Sequence, residues 1–179
     1  MLVLEELQHA RSRGAKIYGE ILGWASTCDA YHMMGHDPSC EEMVRAIKLA
    51  LSRSGVAERQ VSFIKAHAAG ERILDALESK AIRLALGDRA CQIPISSLKG
   101  MLGHAQGACG AIELVGSLIS MKESFVPPTI NFETPDLECN IDCVPNTNRR
   151  HRVGVALNNS FAFGGNNACL VLSKCNCGS

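Results

Sequence analysis

Residues 105–121 form the part of the sequence that most constrains the fold. As a helix, this stretch is small or apolar on nearly every side, and its polar breaks between residues 106 and 119 are Gln106, Glu113 and Ser117. A helix of this kind is buried all round, and its glycines, which lower helix propensity, indicate close packing between layers. The sequence therefore predicts a layered domain with this helix in its interior, at the centre of something larger than the chain.

Two segments rich in β-forming residues, 61–66 and 93–97, precede this helix and are predicted to be strands. His67 follows the first segment directly, and Lys99 and His104 follow the second. Open α/β sheets build their sites at the carboxyl ends of their strands, so we expect these side chains to lie near one another.

His104 is also predicted to lie at the N-terminus of the helix 105–121. The helix dipole there disfavours an imidazolium and favours a neutral ring that can donate a hydrogen bond to a developing oxyanion. A pair of such histidines suits enolate chemistry. The alternative, that each histidine is a satisfied structural residue, stays open on spacing alone.

The remaining periodicity predicts helices at 2–12, 39–51 and 73–86, with Ser39 as a cap, and strands at 16–24, 152–157 and 168–173. Residues 25–36 are predicted to be irregular, as is most of the connection from 126 to 148. Asp75 and Glu78 lie near the start of the helix 73–86, where both can point toward the strand ends. From the pattern alone, a favourable interaction with the helix dipole is the better explanation of these two residues.

Composition excludes several classes of function. With 179 residues and 46% hydrophobic content the chain can bury one ordinary core, and equal numbers of basic and acidic residues, 18 each, argue against a nucleic-acid partner. The nine cysteines form no CxxC pairs and predict a reducing compartment. No apolar run reaches transmembrane length and the first residues do not resemble a signal peptide, so we expect a cytoplasmic protein without membrane contact.

Two other segments invite a ligand. His32 and His36 lie close together in sequence, but carboxylates or cysteines at ligand spacing are lacking, so we predict loop residues and no metal. Residues 158–167 are predicted to be a loop between the last two strands. Its glycines and asparagines permit positive φ and let backbone amides approach a ligand, although a plain hairpin loop is the alternative.

Four motifs in order carry a resemblance to a known family. They are Lys65-Ala66-His67 with Asp75-Ala76-Leu77-Glu78, Ser97-Leu98-Lys99-Gly100-Met101-Leu102-Gly103-His104, Val126-Pro127-Pro128-Thr129-Ile130-Asn131, and Asn159-Ser160-Phe161-Ala162-Phe163-Gly164-Gly165. In these motifs, and over roughly residues 2–174, the chain resembles the C-terminal half of the β-ketoacyl-acyl carrier protein synthases, type II in particular.

The resemblance implies an α/β fold of the thiolase-like type, in which two similar halves stack into five layers with one central helix from each half. For this chain it implies a mixed five-stranded sheet with residues 105–121 as the central helix, plus the last strand segment of the N-terminal half. The expected divisions are 1–34 for the end of the N-terminal half, 35–174 for the C-terminal half and 175–179 for a tail.

The family elongates acyl chains by decarboxylative Claisen condensation on a cysteine thioester. The resemblance implies that His67 and His104 stabilise the enolate, and that Lys99 supplies a fixed positive charge paired with Glu78, with Asp75 in support. It also implies that the amide of Phe161 completes the oxyanion hole and that its ring gates the acyl pocket. The loop that carries these groups contains Asn159, Phe161, Ala162, Phe163, Gly164 and Gly165.

The expected partners are a ketosynthase N-terminal-half chain, an acyl carrier protein and further copies in a hetero- or homo-oligomer. No cofactor is expected beyond the carrier's phosphopantetheine, which holds the substrates. The family's nucleophilic cysteine lies in the N-terminal half, and none of the nine cysteines here sits in its motif. Cys109, in the predicted central helix, is expected to be buried and inert.

Two further departures from the family affect the interpretation. Ala68-Ala69-Gly70-Glu71 stands where the family has Gly-Thr-x-Thr, whose hydroxyls hold the phosphopantetheine arm, and Ala162 replaces a loop glycine. Three interpretations follow: a ketosynthase half that works with an N-terminal half, a non-catalytic partner comparable to chain-length factors, or a fragment of a degraded gene or of an expressed protein. The lost threonines favour the second, whereas His67, His104 and Lys99 favour the first.

Overall fold

The computed structural model describes residues 1–175. Its helices are α1 (Leu7–Ser12), α2 (Glu41–Ser54), α3 (Arg72–Leu86), α4 (Lys99–Leu102) and α5 (Cys109–Glu123). Its strands are β1 (Glu20–Cys28), β2 (Phe63–Lys65), β3 (Ile95–Ser96), β4 (Phe125–Val126), β5 (Arg149–Arg150), β6 (Val155–Ala162) and β7 (Asn166–Ser173). The last four residues of the predicted tail, 176–179, lie outside the described residues.

A mixed five-stranded sheet organises the fold, with the strand order β1-β7-β6-β2-β3. β2 runs parallel to both β3 and β6, while β6, β7 and β1 are antiparallel neighbours. All three residues of β2 are buried, as expected of a parallel strand covered on both faces. The predicted mixed α/β sheet is confirmed.

Helices cover the two faces of this sheet. Alternate residues of a strand point to opposite faces, so Ile64, Leu157 and Val171 meet α2 and α3 in one core, which includes Ile47 and Ile82. The neighbouring strand residues turn the other way and pack against α5 in a second core. Its members are Phe63, Leu114, Met121, Val126, Val144, Val153, Ala156 and Leu172.

The central helix differs from its prediction in two respects. It begins at Cys109 rather than residue 105, because residues 106–108 form a separate 3₁₀ turn in which Gln106 has a φ of 52°. It is also not buried all round within this chain, since Ile112, Val115 and Ile119 are 38%, 40% and 47% exposed. Part of this helix is therefore uncovered within the described chain.

The first strand lies four residues later than predicted. Residues 25–28, predicted to be irregular, belong to β1, which pairs with β7 along its length. Its inward residues Gly23, Ala25 and Thr27 are small or polar, so they give no hydrophobic alternation. Gly23 is small for a reason: a Cβ there would lie 2.7 Å from the carbonyl oxygen of Ala50 in α2.

The predicted loop 158–167 is also wrong in most of its length. Residues 158–162 continue β6, and the connection to β7 is the 3₁₀ turn Phe163–Gly165. Asn158 and Asn159 are poor strand formers, but both are buried and paired with β7, so the tertiary environment overrides their propensity. Asn159, Phe161 and Ala162, predicted to lie in this loop, are therefore part of β6.

The helix predicted over 2–12 is shorter, Leu7–Ser12, and no helix in residues 1–175 is long and apolar enough to cross a membrane. The domain boundary after residue 34 stays a prediction, although β1, which precedes it, belongs to the same sheet as β6 and β7.

Candidate active site

The carboxyl ends of β2, β3 and β6 meet at one edge of the sheet and carry the candidate residues. Lys65, the last residue of β2, pairs with Ser96 on one side and Asn158 on the other. His67 and Lys99 follow two of these strand ends, and the rings of His67 and His104 lie 5.5 Å apart, edge to face. The structure thus brings both histidines and the lysine together.

His67 is held through its backbone on both sides. Its N–H donates to Glu78 Oε1 at 2.9 Å, and its carbonyl accepts from Lys99 Nζ. The side chain is buried, and its Nδ1 has no hydrogen-bond partner among the described residues. Burial, followed by the charges of Lys99 and His104, lowers the pKa of His67 to about 3. The ring is therefore neutral near pH 7 and keeps one N–H to donate.

His104 lies before the 3₁₀ turn that precedes α5, and not directly at the N-terminus of α5 as predicted. The N–H of Gln106 donates to its Nδ1 at 3.1 Å. A backbone N–H can only donate, so Nδ1 carries the lone pair and the neutral ring bears its proton on Nε2. The N–H of Gln106 therefore sets this tautomer. Cys109 Sγ lies 3.1 Å from the same Nδ1.

The expected pair between Lys99 and Glu78 is wrong. Lys99 Nζ instead donates to Glu113 Oε1 on α5. A second lysine, Lys65, lies 3.4 Å from the same oxygen and donates to the carbonyl of Ala66 at 2.9 Å. Burial lowers the pKa of Lys65 to about 8. Sequence reasoning assigns no role to Glu113 or Lys65, although a carboxyl on an otherwise apolar helix is the available signal.

Glu78 has a different role from the one predicted. Its carboxyl accepts from the backbone N–H groups of His67 at 2.9 Å and Ala68 at 2.8 Å, and from Asn159 Nδ2 at 3.3 Å. Burial raises its pKa despite these donors. Glu78 therefore positions the backbone of His67. The spacing predicts correctly that Glu78 points toward the strand ends, but spacing does not identify the group it meets.

Asp75 stands one turn before Glu78 on α3. Its carboxyl faces the backbone amides of residues 69–71, and its Oδ1 is buried without a partner among the described residues. Burial raises the pKa of Asp75. It supports the turn after His67, the segment in which this chain departs from the family.

Phe161 and the turn after it close the other side of the site. The Phe161 ring is buried, 6.2 Å from the His67 ring. Gly164 donates its N–H to Met33 O at 2.9 Å, and a Cβ on Gly165 would lie 2.6 Å from the Cβ of Asp29. Ala162 has a φ of −146°, which any residue adopts, so the observed conformation needs no glycine there.

The two histidines considered as metal ligands, His32 and His36, lie in different environments. His32 Nδ1 accepts from the N–H groups of Met34 and Gly35 at 3.1 and 2.9 Å, which makes it a turn residue. Within residues 1–175, no three His, Cys, Asp or Glu side chains are grouped to hold a metal ion. His36 is buried and neither of its ring nitrogens has a hydrogen-bond partner there.

A groove of about 1060 Å³ lies away from the histidines, between the first 21 residues and α5. Val115, Leu118 and Ile119 of the uncovered helix face line it. Its walls lack His67, Lys99 and His104, so this groove is a surface feature of the helix rather than part of the polar site.

Comparison with known proteins finds relatives that match nearly the whole chain. The family profile "Beta-ketoacyl synthase, C-terminal domain" matches residues 18–133. The 3-oxoacyl-[acyl-carrier-protein] synthase 2 of Synechocystis sp. is 48% identical over 97% of the chain and 42% of its own length. A tetracenomycin polyketide synthase ketoacyl synthase alpha subunit of Streptomyces glaucescens is 41% identical over 97% of the chain and 41% of its own length.

Solved structures show the same relationship. A type II polyketide synthase acyl-carrier protein in complex with its ketosynthase bound to the hexaketide matches with a TM-score of 0.93 and 38% identity. That match covers 96% of this chain and 42% of the other. The ishigamide ketosynthase/chain length factor matches with a TM-score of 0.89 and 38% identity, over 95% and 41% of the two chains.

The chain spans about two-fifths of the length of the curated relatives it matches. The predicted thiolase-like fold of a ketosynthase C-terminal half is confirmed by these structures and by the mixed sheet. Since the profile covers most of the chain and the motifs that carry the resemblance converge on the observed site, the chain belongs to the β-ketoacyl synthase family, in its C-terminal domain.

Proposed function

We propose that the chain supplies the enolate-stabilising groups of a β-ketoacyl-acyl carrier protein synthase, for fatty acid or polyketide elongation. The observation that carries this proposal is the pair of imidazole rings 5.5 Å apart at the strand ends, with His67 buried and neutral. Two imidazole N–H donors on rings this close together suit a developing thioester enolate.

In the proposed reaction, an acyl group is first held as a thioester on a cysteine of a ketosynthase N-terminal half. A malonyl thioester then loses carbon dioxide: its carboxyl C–C bond breaks, and the electron pair moves to the thioester carbonyl oxygen. His67 and His104 donate hydrogen bonds to that oxygen, the latter through Nε2. The enolate carbon attacks the acyl thioester, a C–C bond forms, and the cysteine leaves as a thiolate.

The buried charged residues would hold the donors in place rather than exchange protons with substrate. Lys99 holds the carbonyl of His67 and Glu78 holds its N–H. This arrangement fixes the imidazole before substrate binds, so little reorganisation is needed as charge develops. The ring of Phe161 lies 6.2 Å from the His67 ring and would gate the acyl pocket, while the backbone N–H of Phe161 would complete the oxyanion hole for the acyl thioester.

The proposed partners are an N-terminal half that carries the cysteine and an acyl carrier protein whose phosphopantetheine delivers both acyl groups. One structural relative is a ketosynthase in complex with an acyl-carrier protein, which supports the second partner. The proposed reaction requires no further cofactor. The uncovered face of α5 is a surface against which the N-terminal half would pack.

A second candidate is a non-catalytic partner comparable to chain-length factors. One observation favours it: residues 68–71 lack the hydroxyls that hold the phosphopantetheine arm in the family. A ketosynthase/chain length factor is also among the structural relatives. This candidate predicts that substitution of His67 or His104 leaves the activity of the assembly unchanged.

The proposal is tested by reconstitution with a ketosynthase N-terminal half that carries the cysteine. We expect a β-ketoacyl-carrier product from acyl- and malonyl-carrier protein only when both halves are present, and a loss of product with His104→Ala. Leu84→Ser, on the exposed side of α3, is the matched control. An assembly that forms but gives no product, or product that persists with His104→Ala, would contradict the proposal.

A further inference from the structure

Lys65 is the least expected residue near the site. It is the last residue of a central parallel strand and is fully buried. Its Nζ donates to the carbonyl of Ala66 at 2.9 Å and lies 3.4 Å from Glu113 Oε1. A lysine amine is expensive to bury unless it is paired, so its contacts need an explanation.

The charges around Lys65 do not balance within its immediate cluster. Lys65 and Lys99 share one carboxylate oxygen, Glu113 Oε1, while Glu113 Oε2 is buried without a hydrogen-bond partner in the described chain. Two ammonium groups therefore meet one carboxylate. Burial of the Lys65 ammonium lowers its pKa to about 8; the Glu113 carboxylate opposes this shift, and the Lys99 ammonium adds to it.

The two lysines also hold successive carbonyls of the same short segment. Lys65 binds the carbonyl of Ala66, Lys99 binds that of His67, and Glu78 binds the N–H of His67. Because both lysines contact Glu113 Oε1, protonation of Lys65 changes the strength of the ion pair between Lys99 and Glu113. Any change in this arrangement reaches His67 through its own backbone.

We propose that Lys65 is a positioning residue for His67, whose ammonium shares Glu113 with Lys99 and thereby couples the placement of the His67 imidazole to pH. The catalytic meaning of this coupling rests on the function proposed above, but the coupling itself does not. It is a property of the buried cluster and can be measured without substrate.

The groups that face this pair come from several elements. Lys65 interacts electrostatically with three charged residues, which are Glu113 on α5, Lys99 on α4 and Glu78 on α3. His67 in turn feels Lys99, His104, Lys65 and His36. Because the pKa of His67 is about 3 and that of Lys65 is about 8, a change between pH 7 and 9 reports Lys65 and not the imidazole.

The test is an NMR pH titration of the chain labelled with ¹³C at lysine Cε and histidine Cε1. We expect one lysine to titrate near pH 8, well below the others, and the His67 Cε1 resonance to shift with the same midpoint. In Lys65→Met both events should disappear. In Lys48→Met, which removes an exposed lysine from α2, both should remain.

A second variant keeps the proposal falsifiable if the apolar substitution prevents folding. Lys65→Gln preserves a donor for the Ala66 carbonyl but carries no charge, so it should also abolish the shift of His67. A His67 resonance that is flat between pH 7 and 9, or one whose shift survives in a folded Lys65 variant, would overturn the inference. Reconstituted activity that is absent while the coupling is present would overturn only the proposed function.

Discussion

The uncovered face of α5 gives a prediction that can be worked out from exposed area. Ile112, Val115 and Ile119 are each about two-fifths exposed and line one side of the helix. Substitution of all three by serine should weaken association with a ketosynthase N-terminal half. Serine, valine and isoleucine have similar helix propensities, so the change should leave α5 itself intact.

The magnitude follows from the surface that remains to be buried. Complete burial of such a side chain contributes about 1.5–3 kcal/mol, so covering the exposed two-fifths contributes about 0.6–1.2 kcal/mol. For three side chains the sum is about 1.8–3.6 kcal/mol, which corresponds to a dissociation constant about 20- to 400-fold larger.

Analytical ultracentrifugation measures this effect with the two halves at micromolar concentration. Leu84→Ser is the control, because Leu84 is 54% exposed on α3, across the sheet from α5. Without an N-terminal half, the wild-type chain should self-associate and bind ANS through this face. A cooperatively folding monomer that does not bind ANS, or a triple variant that binds the N-terminal half as tightly as wild type, would show that this face of α5 is not a partner surface.

Three further predictions concern the site. The chain alone should form no acyl-enzyme with acyl-carrier protein, because no cysteine stands in the nucleophile motif and burial raises the pKa of Cys169 to about 12; an acyl adduct in intact-mass spectra would contradict this. Glu78→Gln should lower the free energy of unfolding in urea by about 1–3 kcal/mol, because an amide NH₂ would face one of two backbone donors; exposed Glu58→Gln should have little effect. The pKa of His67 is about 3 in the folded protein and 6.5 in the unfolded chain, so between these values the unfolded chain binds the proton more readily. The full stability is therefore present above pH 6.5 and is lost progressively as pH falls toward 3. Stability should therefore fall less steeply over that range in His67→Gln, and equal slopes would be inconsistent with a buried neutral ring.

Part of the fold is predictable because its signals are local. The apolar spacing of α3 and the glycine after it, Gly87 with a φ of 57°, fix its bounds within one residue. The order β2, α3, β3 along the chain is enough to place His67 and Lys99 at neighbouring strand ends. Motif order supplies the family and therefore the architecture.

Other parts depend on contacts that a sequence does not display. β1 is misplaced by its pattern because its buried residues are small where α2 packs closely, and β6 because buried asparagines look like loop residues. The partner of Lys99 is equally ambiguous, since Glu78 and Glu113 both lie on buried helix faces. Only the structure shows that one meets backbone amides and the other meets two lysines.

Separate measurement of decarboxylation and acylation in the reconstituted enzyme tests directly whether His67 and His104 stabilise the enolate. Carbon dioxide release from malonyl-carrier protein and acyl transfer to the partner's cysteine are measured in wild type, His67→Ala and His104→Ala. Loss of one oxyanion donor costs about 3 kcal/mol, so each variant should release carbon dioxide at least about 10²-fold more slowly while acylation persists. Wild-type decarboxylation rates in both variants would contradict a catalytic role for the histidine pair and favour a chain-length-factor-like partner.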